Sequence, residues 1–117
     1  MEKDIYDFII VGAGSAGSVL ANRLTEKSKW RVLLLEAGAA SHPYSRFPIS
    51  FGLLIDHPTA NWRYSSQPEK GTSNRRIPVP RGRLLGGSSS INGLVFVRGQ
   101  PLDYDTWGQL GNRGWSF

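Results

Sequence analysis

Three glycines spaced Gly12-x-Gly14-x-x-Gly17 follow directly on the apolar run Phe8–Val11, and no other stretch constrains the fold as tightly. "FIIV" reads as a short strand buried on both faces of a parallel sheet. After the glycines, Ala16, Val19, Leu20 and Leu24 recur at helical spacing along "SAGSVLANRLTEK". Val32 to Leu35 form a second apolar run, closed by Glu36 and Gly38. Strand, crossover helix and strand across residues 5–38 make a right-handed βαβ unit, so the fold class is α/β.

The glycines suit a dinucleotide. Gly12 tolerates the unusual dihedrals of a sharp strand-to-helix turn. Gly14 has no side chain to keep a pyrophosphate from the backbone, and Gly17 lets helix and strand pack closely. Amides at the helix N-terminus then face the phosphates. Glu36 stands 19 residues after Gly17, where a carboxylate accepts hydrogen bonds from ribose hydroxyls. It also opposes NADP, whose 2'-phosphate it would repel. A lone glycine motif is weak evidence, and a tight turn with a surface glutamate is the plain alternative. Here strand, glycines, helix, second strand and acid fall in order, which makes the unit Rossmann-like. It does not by itself separate FAD from NAD.

Residues 39–83 are irregular, with prolines at 43, 48, 58, 68, 78 and 80. "NWRYSSQP" and "RRIPVP" read as short extended segments that pair, with Pro78 and Pro80 confining the second to an edge. A second glycine cluster, "LLGGSSSINGLVFVRG", opens the last third. Ser88, Ser89 or Ser90 is expected to cap a short helix through Ile91 to Val97. A further helix is expected near Pro101, because "PLDYDTW" puts proline and two aspartates in a first turn.

Composition removes several functions. Absent cysteines exclude disulfides and thiolate metal sites, and His42 and His57 stand apart from any carboxylate cluster, so no metal site is expected. No apolar run reaches the roughly 18 residues of a membrane span, and "MEKDIYD" lacks the basic start of a signal peptide. The chain therefore reads as soluble and cytoplasmic. The net charge of +5 and the cluster Arg75, Arg76, Arg81 and Arg83 raise nucleic acid as a partner. Prolines interrupt that cluster and no nucleic-acid motif accompanies it, so it reads as a solvated face. There are no internal repeats.

The stretch Gly82-Arg83-Leu84-Leu85-Gly86-Gly87-Ser88-Ser89-Ser90-Ile91-Asn92-Gly93-Leu94-Val95-Phe96-Val97-Arg98-Gly99, with Asp105 beyond, resembles the first signature of the GMC (glucose–methanol–choline) oxidoreductases. "NWRYSSQP", "RRIPVPRGR" and "DYDTWGQLGNRGW" are similar to the bacterial alcohol and choline dehydrogenase branch of that family. The resemblance covers essentially all 117 residues. It implies that residues 1–117 are the N-terminal part of the FAD-binding domain of a larger flavoenzyme, with the substrate domain elsewhere and this chain alone incomplete and inactive. The ending "GWSF", without a closing element, fits an interrupted sequence. Within that part, residues 5–38 form the βαβ unit, 39–83 the Pro-rich segment, and 82–105 the flavin-side glycine signature and helix.

The resemblance also implies site residues. Gly12, Gly14, Ser15, Ala16 and Gly17 would hold the FAD pyrophosphate, and Glu36 with Ala37 the adenosine ribose. Leu85 and Ser89 would lie near the cofactor, with Asn92, Gly93, Leu94 and Val95 beside the isoalloxazine ring. Val95 and Val97 would border the substrate cavity. Some relatives attach FAD through a histidine immediately before the asparagine; Ile91 stands there, which implies non-covalent FAD. In physical terms, Gly86 and Gly87 let the backbone pass close to a flat ligand, the serine hydroxyls and helix N-terminal amides can donate to it, and Asn92 suits a ring edge carrying donors and acceptors. The plain alternative for this cluster is a Gly-Gly turn and a serine cap before a core helix.

The implied activity is oxidation of a primary or secondary alcohol by hydride transfer to the flavin. The base belongs to the C-terminal part, so no catalytic residue is assigned here, and His42 and His57 are ordinary loop groups. The implied partners are a small alcohol and the remaining C-terminal part, not nucleic acid. Two other function classes stay open: a hydroxynitrile lyase of the same fold, and a non-catalytic or NAD-binding Rossmann module.

Overall fold

The computed structural model describes residues 5–27 and 29–117. Strand β1 (Phe8–Val11) pairs in parallel with β2 (Val32–Leu35), Phe8 opposite Val32 and Val11 opposite Leu35. Helix α1 (Ser15–Thr25) makes the crossover and packs on both strands. Its inner face is Gly17, Ala21 and Leu24, spaced i, i+4, i+7. Gly17 sets this orientation because it is the point of closest approach to the strand. The expected stripe therefore turns partly outward, and Ala16, Val19 and Leu20 are exposed.

The strands differ from expectation in one respect. Ile9 is 62% and Val11 84% exposed, so β1 is not buried on both faces. Only α1 among the described helices packs on this two-stranded sheet. The apolar run is that of a strand with two covered faces, and one of them is open.

The Pro-rich segment folds as tight turns. Prolines open two single 3-10 turns at Pro43–Arg46 and Pro48–Ser50, which lead into the short helix α2 (Phe51–Leu54). The His42 Nδ1 accepts from the Tyr44 N–H and the His57 Nδ1 from the Thr59 and Ala60 N–H groups. Both imidazoles thus serve local turns, their ring centres 4.5 Å apart.

Strands β3 (Tyr64–Ser65) and β4 (Pro78–Val79) then pair antiparallel, as the two extended segments suggested. The ladder runs beyond both, through Arg83 N–H to Ala60 O, Trp62 N–H to Arg81 O and Ser66 N–H to Ile77 O. Those rungs alternate, so Pro78 and Pro80 fall at positions where the ladder requires no N–H. The prolines fit for that reason.

Residues 84–87 tie the hairpin to the βαβ unit. The Leu85 N–H donates to the Ala39 carbonyl (2.9 Å) and the Gly86 N–H to the Ala13 carbonyl (2.8 Å). Leu54, Ala60, Leu84 and Ile91 form the small core beneath this strap. Each fully buried leucine contributes about 1.5–3 kcal/mol.

The expected helix through Ile91 to Val97 is absent. A 3-10 turn covers Gly87–Ile91, and Asn92 leaves it with extended dihedrals (φ −76°, ψ 140°). The Asn92 Oδ1 accepts from the Leu94 N–H (2.7 Å), closing a local turn with Leu94 in the left-handed region (φ 57°). That side-chain turn competes with helix extension, and the β-branched Val95 and Val97 do not restore it. No serine caps the turn: the Ser89 and Ser90 hydroxyls donate to the Gly86 and Leu85 carbonyls, and the Ser88 Oγ accepts from the Gly82 N–H.

Helix α3 (Pro101–Gln109) forms where expected, with proline at its first position and a capping box between Gln100 and Asp103. It ends in paired bonds, Gly111 N–H to Gly108 O and Asn112 N–H to Trp107 O, with Gly111 at φ 98°. That is a Schellman-type stop.

Candidate dinucleotide-binding cleft

A cleft of about 530 Å³ opens beyond the C-terminal ends of β1 and β2. Val11, Gly12 and Gly14 line it from the first strand and turn, and Leu35, Glu36 and Ala37 from the second. Trp62, Tyr64, Arg81 and Gly82 line it from the hairpin, with Gly87 and Ser88 from the second glycine cluster. Ligands of open α/β sheets bind outside the carboxyl ends of their strands.

The three fingerprint glycines differ in what the polypeptide itself demands. Gly12 has φ 96°, which only glycine adopts readily. A Cβ on Gly17 would stand 1.9 Å from the Gly12 carbonyl oxygen, so the chain could not pack. Gly14 has an ordinary φ of −75°, and a Cβ there would meet only the Gly87 Cα, at 3.8 Å. The fold leaves room for a side chain at Gly14. A glycine at that position keeps the cleft floor free.

No side chain closes the mouth of α1. Gly14 is its N-cap, no side chain caps the helix, and its first turn holds no acidic residue. The first-turn amides, at Ser15, Ala16 and Gly17, have no intrahelical partner, and the positive end of the dipole lies there. Glu36 faces the same space. Its Oε2 accepts from the Ala13 N–H and its Oε1 from the Gly38 N–H, both at 2.9 Å. Each carboxylate oxygen has further acceptor capacity for a hydroxyl. These features fit a dinucleotide: amides for the pyrophosphate and an acid for the ribose.

The second wall was not legible in advance. Trp62 lies just before β3 and Tyr64 opens it, their rings 5.9 Å between centres and 4° from parallel. The Arg83 guanidinium lies 5.0 Å from the Trp62 ring centre. Alternating aromatics in "NWRYS" carried a signal for a common face. Placing that face across the cleft from the end of β2 required the hairpin to be docked.

Other expected site residues lie outside this cleft. Leu85 is about half exposed, and Ser89, Asn92 and Leu94 border a separate cavity of about 80 Å³ with Tyr44, Phe47 and Phe51. Gly93 lies over the Phe51 ring, and Val95 and Val97 are 82% and 80% exposed. The structure thus groups Gly12, Gly14, Glu36 and Ala37, and leaves Leu85, Ser89 and Asn92 to Val95 along a different surface. Among the described residues no group of three or more His, Cys, Asp or Glu is placed to hold a metal ion, and no helix is long and apolar enough to cross a membrane.

Comparison with known proteins agrees with the fingerprint. Residues 6–117 match the family model described as GMC oxidoreductase. An oxygen-dependent choline dehydrogenase from Sinorhizobium fredii is 48% identical over 112 residues, 95% of this chain and 20% of the relative. Among solved structures, pyridoxine 4-oxidase from Mesorbium loti superimposes with TM-score 0.73 at 40% identity, covering 95% of this chain and 22% of that one. An FAD-dependent oxidoreductase from Chaetomium thermophilum does so with TM-score 0.61 at 39% identity, covering 96% and 19%. The chain spans about a fifth of the length of these relatives. With its fingerprint glycines, its acid at the end of β2 and its second glycine cluster, the chain belongs to the GMC oxidoreductase family.

Proposed function

We propose that this chain is the FAD-binding N-terminal part of a flavin-dependent oxidoreductase that oxidises a primary or secondary alcohol. The observation that carries the reading is Gly14: backbone and packing among the described residues leave space for a side chain there, and a ligand lying against the backbone accounts for its absence. The amides opening α1 bind the pyrophosphate. Arg81 adds a positive charge on the cleft wall. Glu36 takes the adenosine ribose, and Trp62 and Tyr64 offer the adenine a stacking surface.

Leu85, Ser89 and Asn92 to Val95 carry the flavin half away from this cleft. FAD, when bound, supplies a two-electron acceptor for the hydride on the alcohol carbon. This chain's own part is to bind and orient it, while the proton-accepting group lies outside residues 1–117. Binding is non-covalent: Ile91 is 6% exposed and packs in the core with Leu54, Ala60 and Leu84, presenting no nucleophile for attachment. The protein works in the cytoplasm on a small alcohol.

The test is a visible spectrum of the full-length protein that contains residues 1–117, before and after acid precipitation, followed by anaerobic addition of alcohols. Choline and pyridoxine come first, from the names of the relatives. Bands near roughly 370 and 450 nm that leave with the supernatant, and bleach with an alcohol, are expected of a flavin carrying out this chemistry. A flavin that no alcohol bleaches would favour a lyase, and a protein binding NAD but not FAD would refute the reading.

A further inference from the structure

The hairpin ladder contains a repair. Trp62 N–H donates to the Arg81 carbonyl (2.9 Å), and a regular antiparallel pair would return the bond from Arg81 N–H to the Trp62 carbonyl. Instead the Arg81 N–H donates to the Asn61 Oδ1 (2.9 Å). The cause lies next door. Arg63 has φ 55°, a left-handed conformation that turns the peptide between Trp62 and Arg63, and the Arg63 N–H donates to the same Asn61 Oδ1 (2.8 Å). The Asn61 Nδ2 donates to the Ile55 carbonyl at the end of α2.

Asn61 is 3% exposed, the one buried polar residue in the core of the described chain. Its amide joins three segments: the end of α2, the Trp62–Arg63–Tyr64 bend and the Arg81 return strand. Two of these bear the cleft wall formed by Trp62, Tyr64 and Arg81. A buried carbonyl oxygen accepting two backbone N–H groups fixes both strands at the rung where their own bonding fails.

We propose that Asn61 is a positioning residue for the adenosine half of the cofactor, acting through the wall it holds and touching no ligand itself. This inference rests on the FAD reading above. It separates the two halves of the ligand, because the segment Asn92 to Val95 is held by other contacts.

The experiment measures FAD and FMN affinity of the full chain, since FMN lacks the adenosine half. Asn61→Ala is expected to weaken FAD at least tenfold while changing FMN less than about twofold. Asn61→Asp keeps an oxygen for both N–H groups but sets a second carboxylate oxygen against the Ile55 carbonyl and buries a charge, so stability should fall while its FAD-over-FMN preference stays within about threefold of wild type. In a Trp62→Leu background, Asn61→Ala should add little to the loss of preference. Equal weakening of FAD and FMN in Asn61→Ala would mean general destabilisation and overturn the proposal, as would unchanged affinity for both. If Asn61→Ala does not fold, Asn61→Asp decides alone: a retained preference supports the clasp and a lost one overturns it. A wild-type protein that binds no FAD refutes the function itself, whereas normal FAD binding in every variant refutes only the role of Asn61.

Discussion

Replacing Gly14 with alanine separates what the fold requires from what the ligand requires. The new Cβ would lie 3.8 Å from the Gly87 Cα, ordinary van der Waals distance, and φ of −75° suits any L-residue. Alanine is a poorer N-cap than glycine by about 1 kcal/mol. Its smaller unfolded-state entropy returns about 0.4–1 kcal/mol. Unfolding free energy should therefore change by less than about 1 kcal/mol, within the scatter of surface substitutions. Cofactor affinity should behave differently. A methyl group on the cleft floor holds the pyrophosphate off the opening amides of α1, and losing charge-assisted bonds of about 1.5–3 kcal/mol weakens binding about 10- to 100-fold. Denaturant unfolding of the apo-protein measures the first quantity, and titration of FAD by fluorescence quenching the second. A folded Gly14→Ala protein with wild-type FAD affinity would refute the reasoning, because the open position would then have no ligand to explain it.

Four further substitutions test neighbouring parts. Gly87→Ala should destabilise by about 2–4 kcal/mol, from its left-handed φ of 57° together with a Cβ forced to 2.8 Å from the Gly14 Cα; Gly111→Ala, with positive φ and open space around it, should lose only the dihedral part in the same unfolding assay. Glu36→Gln leaves one of the Ala13 and Gly38 N–H groups facing an amide NH2, so thermal unfolding should show a loss of about 1–2 kcal/mol, and FAD titration a roughly tenfold weaker Kd. Arg63→Gly should be nearly neutral, within about 0.5 kcal/mol, since relief of the left-handed strain offsets the entropy of a more flexible unfolded chain; a loss above about 2 kcal/mol would show that the Arg63 side chain itself stabilises the bend.

Local chemistry carried much of this molecule in plain view. The βαβ unit follows from two apolar runs around a glycine turn, and α3 from Pro101 and the Gln100–Asp103 cap, because each depends on neighbours in sequence. Pro78 and Pro80 were correctly read as edge residues. The segment after Ile91 was not legible as it folds, since one side-chain bond from Asn92 to Leu94 decides between helix and turn. Strand burial misled for a different reason: "FIIV" records the number of covered faces its composition suits, while the described chain covers one. The aromatic wall depends on pairing between residues 13 to 19 apart and on the hairpin's placement across the cleft from β2, and neither leaves a periodic trace.

The strap at Leu85 and Gly86 has a kinetic consequence. Its two amides are held by the Ala13 and Ala39 carbonyls, on the two loops that shape the cleft. Hydrogen exchange at these amides requires the strap to lift, and lifting it parts both loops at once. A ligand seated between them should slow exchange at Leu85 and Gly86 together, by the same factor, while amides of α3 keep their rates. The pair would serve as an internal gauge of cofactor occupancy, readable without watching the flavin at all.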